Sequence, residues 1–282
     1  MVTDSPLQKI RHHLHQCPEI AGQEKETSRF IIDYLQGTKP DQLLTSLGGY
    51  GVAAVYDSKK PGPCIVLRAE LDALPIQEHN TLPYKSQTSQ VSHACGHDGH
   101  MTILLGVAQQ LSELASKITG KVVLLFQPAE ETAQGAKEVV EDTHFTALEP
   151  TVVFALHNLP GYPLGEVIIK DDVYAMASIG VKIQIHGESS HAGHPEQGKN
   201  PLPIFQKLLQ DLPQLPKQYT NNQFSLITII HAALGEIAFG TSPGDAVVMA
   251  TLRAETDSLL VELQDSVEKY LFQTHLVLWY VH

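Results

Sequence analysis

DGHMTILLGVAQQLSELASK, residues 98–117, lies between two short apolar runs, PCIVLRAEL (63–71) and KVVLLFQ (121–127). Ile103, Leu104, Val107 and Leu111 recur at helical spacing, and Asp98 stands where an N-cap would. The flanking runs are rich in Val, Ile and Leu and are bounded by turn formers, which marks them as strands. GVAAVYD (51–57), TVVFALH (151–157) and EVIIK (166–170) have the same texture. Near-continuous apolar strands separated by a crossover helix imply a mostly parallel sheet covered by helices, an α/β catalytic-type layer arrangement.

Upstream, Leu7, Ile10 and Leu14 carry helical spacing, and a second helix is expected over Glu24–Leu35 with Phe30, Ile31, Tyr34 and Leu35 inward, ended by Gly37 and Pro40. Downstream of about Ala177 the order changes. VKIQIHG (181–187) reads as a strand, NPLPIFQKLLQDL (200–212) as a helix, and FSLITIIHAAL (224–234) and DAVVMATLRAET (245–256) as strands. DSLLVELQDSVEKYLF (257–272) reads as a helix and HLVLWYV (275–281) as a last strand. Strand, helix, two strands, helix, strand is the split βαβ, ferredoxin-like order. Two domains are therefore expected, residues 1–176 and 177–282, which agrees with a length of 282 residues.

Composition narrows the function classes. Lys and Arg number 19 against 31 Asp and Glu, a formal charge of −12, so the phosphate neutralisation that drives nucleic-acid binding is missing globally. No apolar run approaches the roughly 20 residues of a membrane span, and the opening MVTDSPLQKIRHHL lacks the apolar stretch of a secretory signal. Cys17, Cys64 and Cys95 are too few for a disulfide framework and fit a reducing compartment, so a cytoplasmic location is expected.

In open α/β sheets, ligands bind beyond the carboxyl ends of strands. Asp72, the CGHDGH loop, Glu130 with Glu131, and His157 all follow such ends or open the long helix. Cys95 and His97, two apart in a glycine-containing loop, can point at one centre, and thiolate with imidazole suits zinc and neighbouring transition metals. Taken singly, each residue has a plainer reading: a buried thiol beside a loop histidine, an acidic turn, a structural histidine, a turn former before Pro75. Adjacent Glu130 and Glu131 would face different directions, one toward a cation and one able to act as a base.

Together RAELDALP (68–75), HACGHDGHM (93–101), PAEE (128–131), ALHN (155–158) and SSHAGHPEQGKNP (189–201) resemble the metal-dependent amidohydrolases that include aminoacylases, hippurate hydrolase and plant auxin-conjugate hydrolases. The motifs occur in the family's order across nearly the whole chain. The resemblance implies hydrolysis of N-acyl amino acids or similar small amides by metal-activated water, at a site of two divalent ions: zinc or manganese, with nickel or cobalt also compatible. It carries metal ligation onto Cys95, His97, Glu131 and His157, the general-base role onto Glu130, and an outer-shell carboxylate role onto Asp72.

Glu70 stands where related branches carry a metal-binding histidine. The second domain resembles the family's lid, which implies a homodimer through that domain, a carbonyl-polarising role for His191 and a substrate-carboxylate contact for Arg253. Both are also of the types that commonly sit on a surface with no such role.

Family members continue past the lid and add a last metal-binding histidine, whereas this sequence ends at FQTHLVLWYVH (272–282), where His275 and His282 are poor substitutes. An alternative reading is an inactive truncated remnant acting at most as a dimerising or binding protein. A cysteine hydrolase with Cys95 as nucleophile is a third.

Overall fold

A computed structural model of the chain describes residues 5–114, 117–171, 174–219, 223–272 and 277–281. It divides into two compact units, Met1–Leu164 and Gly165–His282.

The first unit holds helices α1 (Pro6–Gln16) and α2 (Lys25–Gly37), strands β1 (Gln42–Leu47), β2 (Gly51–Asp57) and β3 (Cys64–Glu70), helix α3 (His97–Leu114), strand β4 (Lys121–Gln127), helices α4 (Gly135–Glu141) and α5 (Thr143–Thr146), and strand β5 (Val152–Ala155). The sheet order is β1-β2-β4-β3-β5. Strand β3 pairs in parallel with both β4 and β5, the crossover geometry that the apolar runs around α3 imply. The expectation of a parallel sheet holds for this half, which carries the candidate site. Strand β2 pairs antiparallel with β4, and β1 pairs antiparallel with β2, so the sheet as a whole is mixed.

Side chains alternate between two cores. Val52, Ala54, Tyr56, Leu124 and Phe126 face one side, against Leu14 of α1, Ile31 and Leu35 of α2, and Met101, Leu104 and Leu105 of α3. Ala53, Val55, Val66, Val123 and Leu125 face the other, against Val139 of α4 and Phe145 of α5. A strand buried on both faces loses the apolar–polar alternation, which is why these runs read as continuous.

Two expectations change, and one strand is new. EVIIK (166–170) forms no strand; it runs exposed in irregular backbone at the start of the second unit. Its composition favours a strand, but no neighbour pairs with it among the described residues. Asp98 is not an N-cap, because α3 begins one residue earlier at His97 and the Asp98 carboxylate instead takes Arg11 Nε (3.1 Å) and His15 Nδ1 (2.8 Å). Strand β1, QLLTSL, was not anticipated, since its mixed polar content suits an edge position.

The second unit contains β6 (Ala177–His186), β7 (Ser190–His191), α6 (Leu202–Asp211), α7 (Leu215–Tyr219), β8 (Ser225–Leu234), β9 (Thr241–Ser242), β10 (Asp245–Ala254), α8 (Asp257–Phe272) and β11 (Val277–Val281). The order β11-β6-β10-β8, antiparallel throughout, is the split βαβ sheet. Its core joins Val181, Ile183 and Ile185 to Leu208 of α6 and to Leu263 and Val267 of α8. His275 and His282 lie outside the described residues. Among the described residues no helix is long and apolar enough to cross a membrane.

Candidate metal centre

Beyond the carboxyl ends of β3, β4 and β5, and at the first turn of α3, the chain delivers a dense set of donors. Cys95 Sγ lies 3.3 Å from His157 Nε2. His97 Nε2 lies 3.8 Å from Glu130 and 3.9 Å from Glu131. Three groups, Cys95–His97–His157, His97–Glu130–Glu131 and the fully buried Glu70–His97–His100, each bring their donor atoms within 4.8 Å of one another, and His97 belongs to all three. Residues 95, 97, 130, 131 and 157, far apart in the chain, thus meet at one place.

Hydrogen bonding fixes how the imidazoles face. His97 Nδ1–H donates to the Asp72 carbonyl at 2.8 Å, and His157 Nδ1–H donates to the Asn158 carbonyl at 2.8 Å. Both rings therefore turn a bare Nε2 toward the cluster, the tautomer an imidazole ligand needs. Asp72, fully buried, accepts the Glu131 N–H with Oδ2 at 2.9 Å, and its Oδ1 sits 3.7 Å from the His97 ring. That is a bracing position.

The electrostatics ask for a cation. Burial and the neighbouring Glu131, Glu130 and Glu70 carboxylates push the Cys95 thiol up to about 12. Burial raises Glu131 as well, with Glu130 and Asp72 adding to it against His97. His97 Nε2, Glu131 Oε1 and Asp72 Oδ1 are buried without a hydrogen-bond partner. Buried polar atoms without partners are costly, and a divalent cation would satisfy His97 Nε2 and Glu131 Oε1, offset the carboxylates and ionise the thiol. The donor set fits such an ion.

Glu130 and Glu131 both approach His97 but differ in exposure, 38% and 19% of the side chain. Glu131 is the inner of the two. His191 and Arg253 belong to the second unit. His191 ends β7, exposed, and its Nδ1 accepts the Gly193 N–H at 3.0 Å, so its ring proton sits on Nε2. Arg253 is an exposed residue of β10 between buried Leu252 and Ala254.

The roles of His100 and Gly96 escaped the sequence reading, and Glu70 has partners it did not foresee. Glu70 forms a donor group with His97 and His100; buried, it also ion-pairs with Arg68 and accepts from His100 Nδ1 at 2.8 Å. His100 Nε2 in turn lies 2.7 Å from Asn158 Oδ1, so an Arg68–Glu70–His100–Asn158 relay backs the loop carrying His157. Gly96 has φ +91°, and a Cβ there would collide with the Asn158 side chain. The only sequence signal was the second histidine of CGHDGH, one helical turn beyond the first.

Comparisons with known proteins agree with this picture. A profile of peptidase family M20/M25/M40 matches residues 66–270. The N-acetyl-L-cysteine deacetylase of Bacillus subtilis is 37% identical over 244 residues, which cover 86% of this chain and 58% of the relative. The hippurate hydrolase of Campylobacter jejuni is 34% identical over 248 residues, 88% of this chain and 64% of the relative. The chain thus spans about three fifths of the length of these curated relatives. Among solved structures, the YXEP protein of Bacillus subtilis, described as a dinuclear metal-binding peptidase of the M20 family, superposes with a TM-score of 0.66 at 26% identity, covering 98% of this chain and 72% of that one.

Proposed function

The chain belongs to peptidase family M20/M25/M40, and from that membership we propose that it hydrolyses the amide bond of N-acyl amino acids with the help of two divalent cations. The observation that carries this reading is the meeting of Cys95, His97, Glu131 and His157 around His97, which is shared by every candidate donor group. A bound cation supplies Lewis acidity that polarises an amide carbonyl and makes water a better nucleophile.

Cys95, His97, Glu131 and His157 would hold the ions. Asp72 keeps the His97 ring in place through its own carbonyl, and its carboxylate anchors the Glu131 amide. Glu130, the more exposed carboxylate, takes a proton from the attacking water and returns it to the departing amine nitrogen. The family likeness gives His191, whose ring proton sits on Nε2, the part of a donor to the developing oxyanion, and Arg253 that of gripping the substrate carboxylate. The thiolate and imidazoles suit zinc, and the carboxylates also suit manganese. Pairing of two copies through the second unit belongs to the same proposal, supported by β8 lying at the sheet edge with Leu226 and Ile230 exposed.

The test is release of free amine from N-acetylcysteine and hippurate by the purified chain loaded with zinc or manganese. Chelation should abolish it. Glu130→Gln should lower kcat by about 10²- to 10⁴-fold while metal content stays unchanged. Retention of most activity by Glu130→Gln would remove Glu130 as the base, and no turnover of any N-acyl amino acid by the metal-loaded wild type would favour a non-catalytic binding protein.

A further inference from the structure

Glu24 precedes α2 and takes no part in the cluster, yet its side chain is among the most buried in the protein, at 0% exposure. Its Oε1 accepts the Ala129 N–H at 2.7 Å across 105 positions of sequence, and its Oε2 has no partner. Ala129 has φ +49°, a left-handed conformation that residues with a side chain rarely adopt. The next two residues are Glu130 and Glu131.

The rest of the turn is held as closely. Ala129 O accepts the Gly135 N–H at 3.1 Å, and Glu130 O accepts the Ala133 N–H at 2.8 Å. A Cβ at Gly135 would collide with the Pro128 carbonyl, so the backbone closes on itself there. Asp72 grips the Glu131 amide from the sheet side, as Glu24 grips the Ala129 amide from the α2 side. Burying a carboxyl group merely to satisfy one amide is expensive, since a backbone carbonyl would serve at less cost. Two such groups, one on each side of a three-residue turn, make sense if the turn's shape matters more than the stability lost.

We propose that Glu24 is a positioning residue for the candidate centre: its carboxyl holds Ala129 in the left-handed conformation that sets Glu131 beside His97 and leaves Glu130 the more exposed of the pair. This rests on the reading of Glu131 as a ligand and Glu130 as the base. Without the Glu24 contact, Ala129 relaxes toward ordinary backbone angles, and the two carboxylates that follow turn away together.

The test uses the full chain and two readouts, zinc affinity by competition with a chelating dye and the split between kcat and KM for an N-acetyl amino acid. Glu24→Leu removes the acceptor, and Glu24→Asp withdraws it by one methylene. Each should weaken zinc by about tenfold or more, the scale seen when an outer-shell partner is removed, and lower kcat with little change in KM. Glu24→Gln, which keeps an acceptor oxygen, should recover zinc affinity to within about threefold of wild type. Ala129→Gly placed on Glu24→Asp should restore at least part of the loss, because glycine adopts the left-handed turn without being held.

Zinc affinity of a folded Glu24→Asp within about twofold of wild type overturns the proposal, as does a folded double variant no better than Glu24→Asp alone. If Glu24→Leu does not unfold cooperatively, the Asp series decides. A wild-type chain that binds zinc but cleaves no N-acyl amino acid sinks the proposed activity and leaves the zinc readout deciding for Glu24. Intact hydrolysis with no zinc effect sinks Glu24 alone.

Discussion

His15 shows how a single buried side chain ties the helices of the first unit together. Its Nδ1 faces Asp98 at 2.8 Å and its Nε2 faces Glu78 at 3.0 Å. The Asp98 hydrogen bond lifts the imidazole above its ordinary range against burial, with Glu78 adding to the lift. Asp98 is drawn below its ordinary range by His15, and Glu78 by the Ser86 amide and then His15, although burial pushes both the other way. A raised histidine stabilises fully below its unfolded value of about 6.5 and loses that contribution as pH climbs through its higher native value; a tenfold change in proton affinity is worth about 1.4 kcal/mol. Thermal unfolding followed from pH 6 to pH 9 should therefore show a falling melting temperature, and His15→Gln should start lower and fall less steeply. Equal slopes would mean that the triad does not hold the proton as described. At this scale the sequence was informative about donors and silent about braces. Cys95, His97, Glu130, Glu131 and His157 stand out by type and by place after apolar runs, whereas Glu24 sits just before α2 and His15 on α1, where the same residue types are usually solvated. Only tertiary contact across 105 and 83 positions reveals their work.

Among elements, β3, β4 and α3 were legible because burial on both faces leaves long apolar runs, and α8 because its pattern is bounded by Asp257 and Phe272. Strand β1 was not, since an edge strand needs only a few apolar residues, and EVIIK misled because β-propensity without a pairing partner makes no strand. Strand β5 is the reverse case. Its apolar residues are of the buried kind, yet all four are exposed, with Val153 at 53% and Phe154 at 55%. Among the described strands it pairs only with β3 and forms the sheet's edge. An apolar edge is a template for pairing with another chain. Phe154→Lys should lower the apparent mass seen by sedimentation at high concentration, while changing unfolding stability by no more than about 0.5 kcal/mol, the usual range for an exposed position. An unchanged mass distribution would show that β5 does not mediate association.

For the molecule as a whole, the separate cores carry a prediction of their own. Ile183 is fully buried in the second unit's core, whereas every donor of the candidate centre belongs to the first. Ile183→Ala should destabilise by about 2–5 kcal/mol, read as loss or lowering of one thermal transition. Zinc affinity measured by dye competition should stay unchanged; a parallel fall in affinity would show the two units to be energetically one. The sequence reading sets the boundary at 176/177, where the order of strands and helices changes, whereas the compact units divide at 164/165; the described residues between those two points are irregular backbone with no periodic signal. The convergence at residues 95, 97, 131 and 157 has a last, mechanical consequence. An ion held there is a clasp: it pins three chain segments whose ends would otherwise separate on unfolding, much as a cross-link shortens the paths open to a loosened polymer. Saturating zinc, at a thousand times its dissociation constant, would add about 4 kcal/mol to the folded state, and a protease given to the loaded chain should cut it correspondingly more slowly than the chelated one.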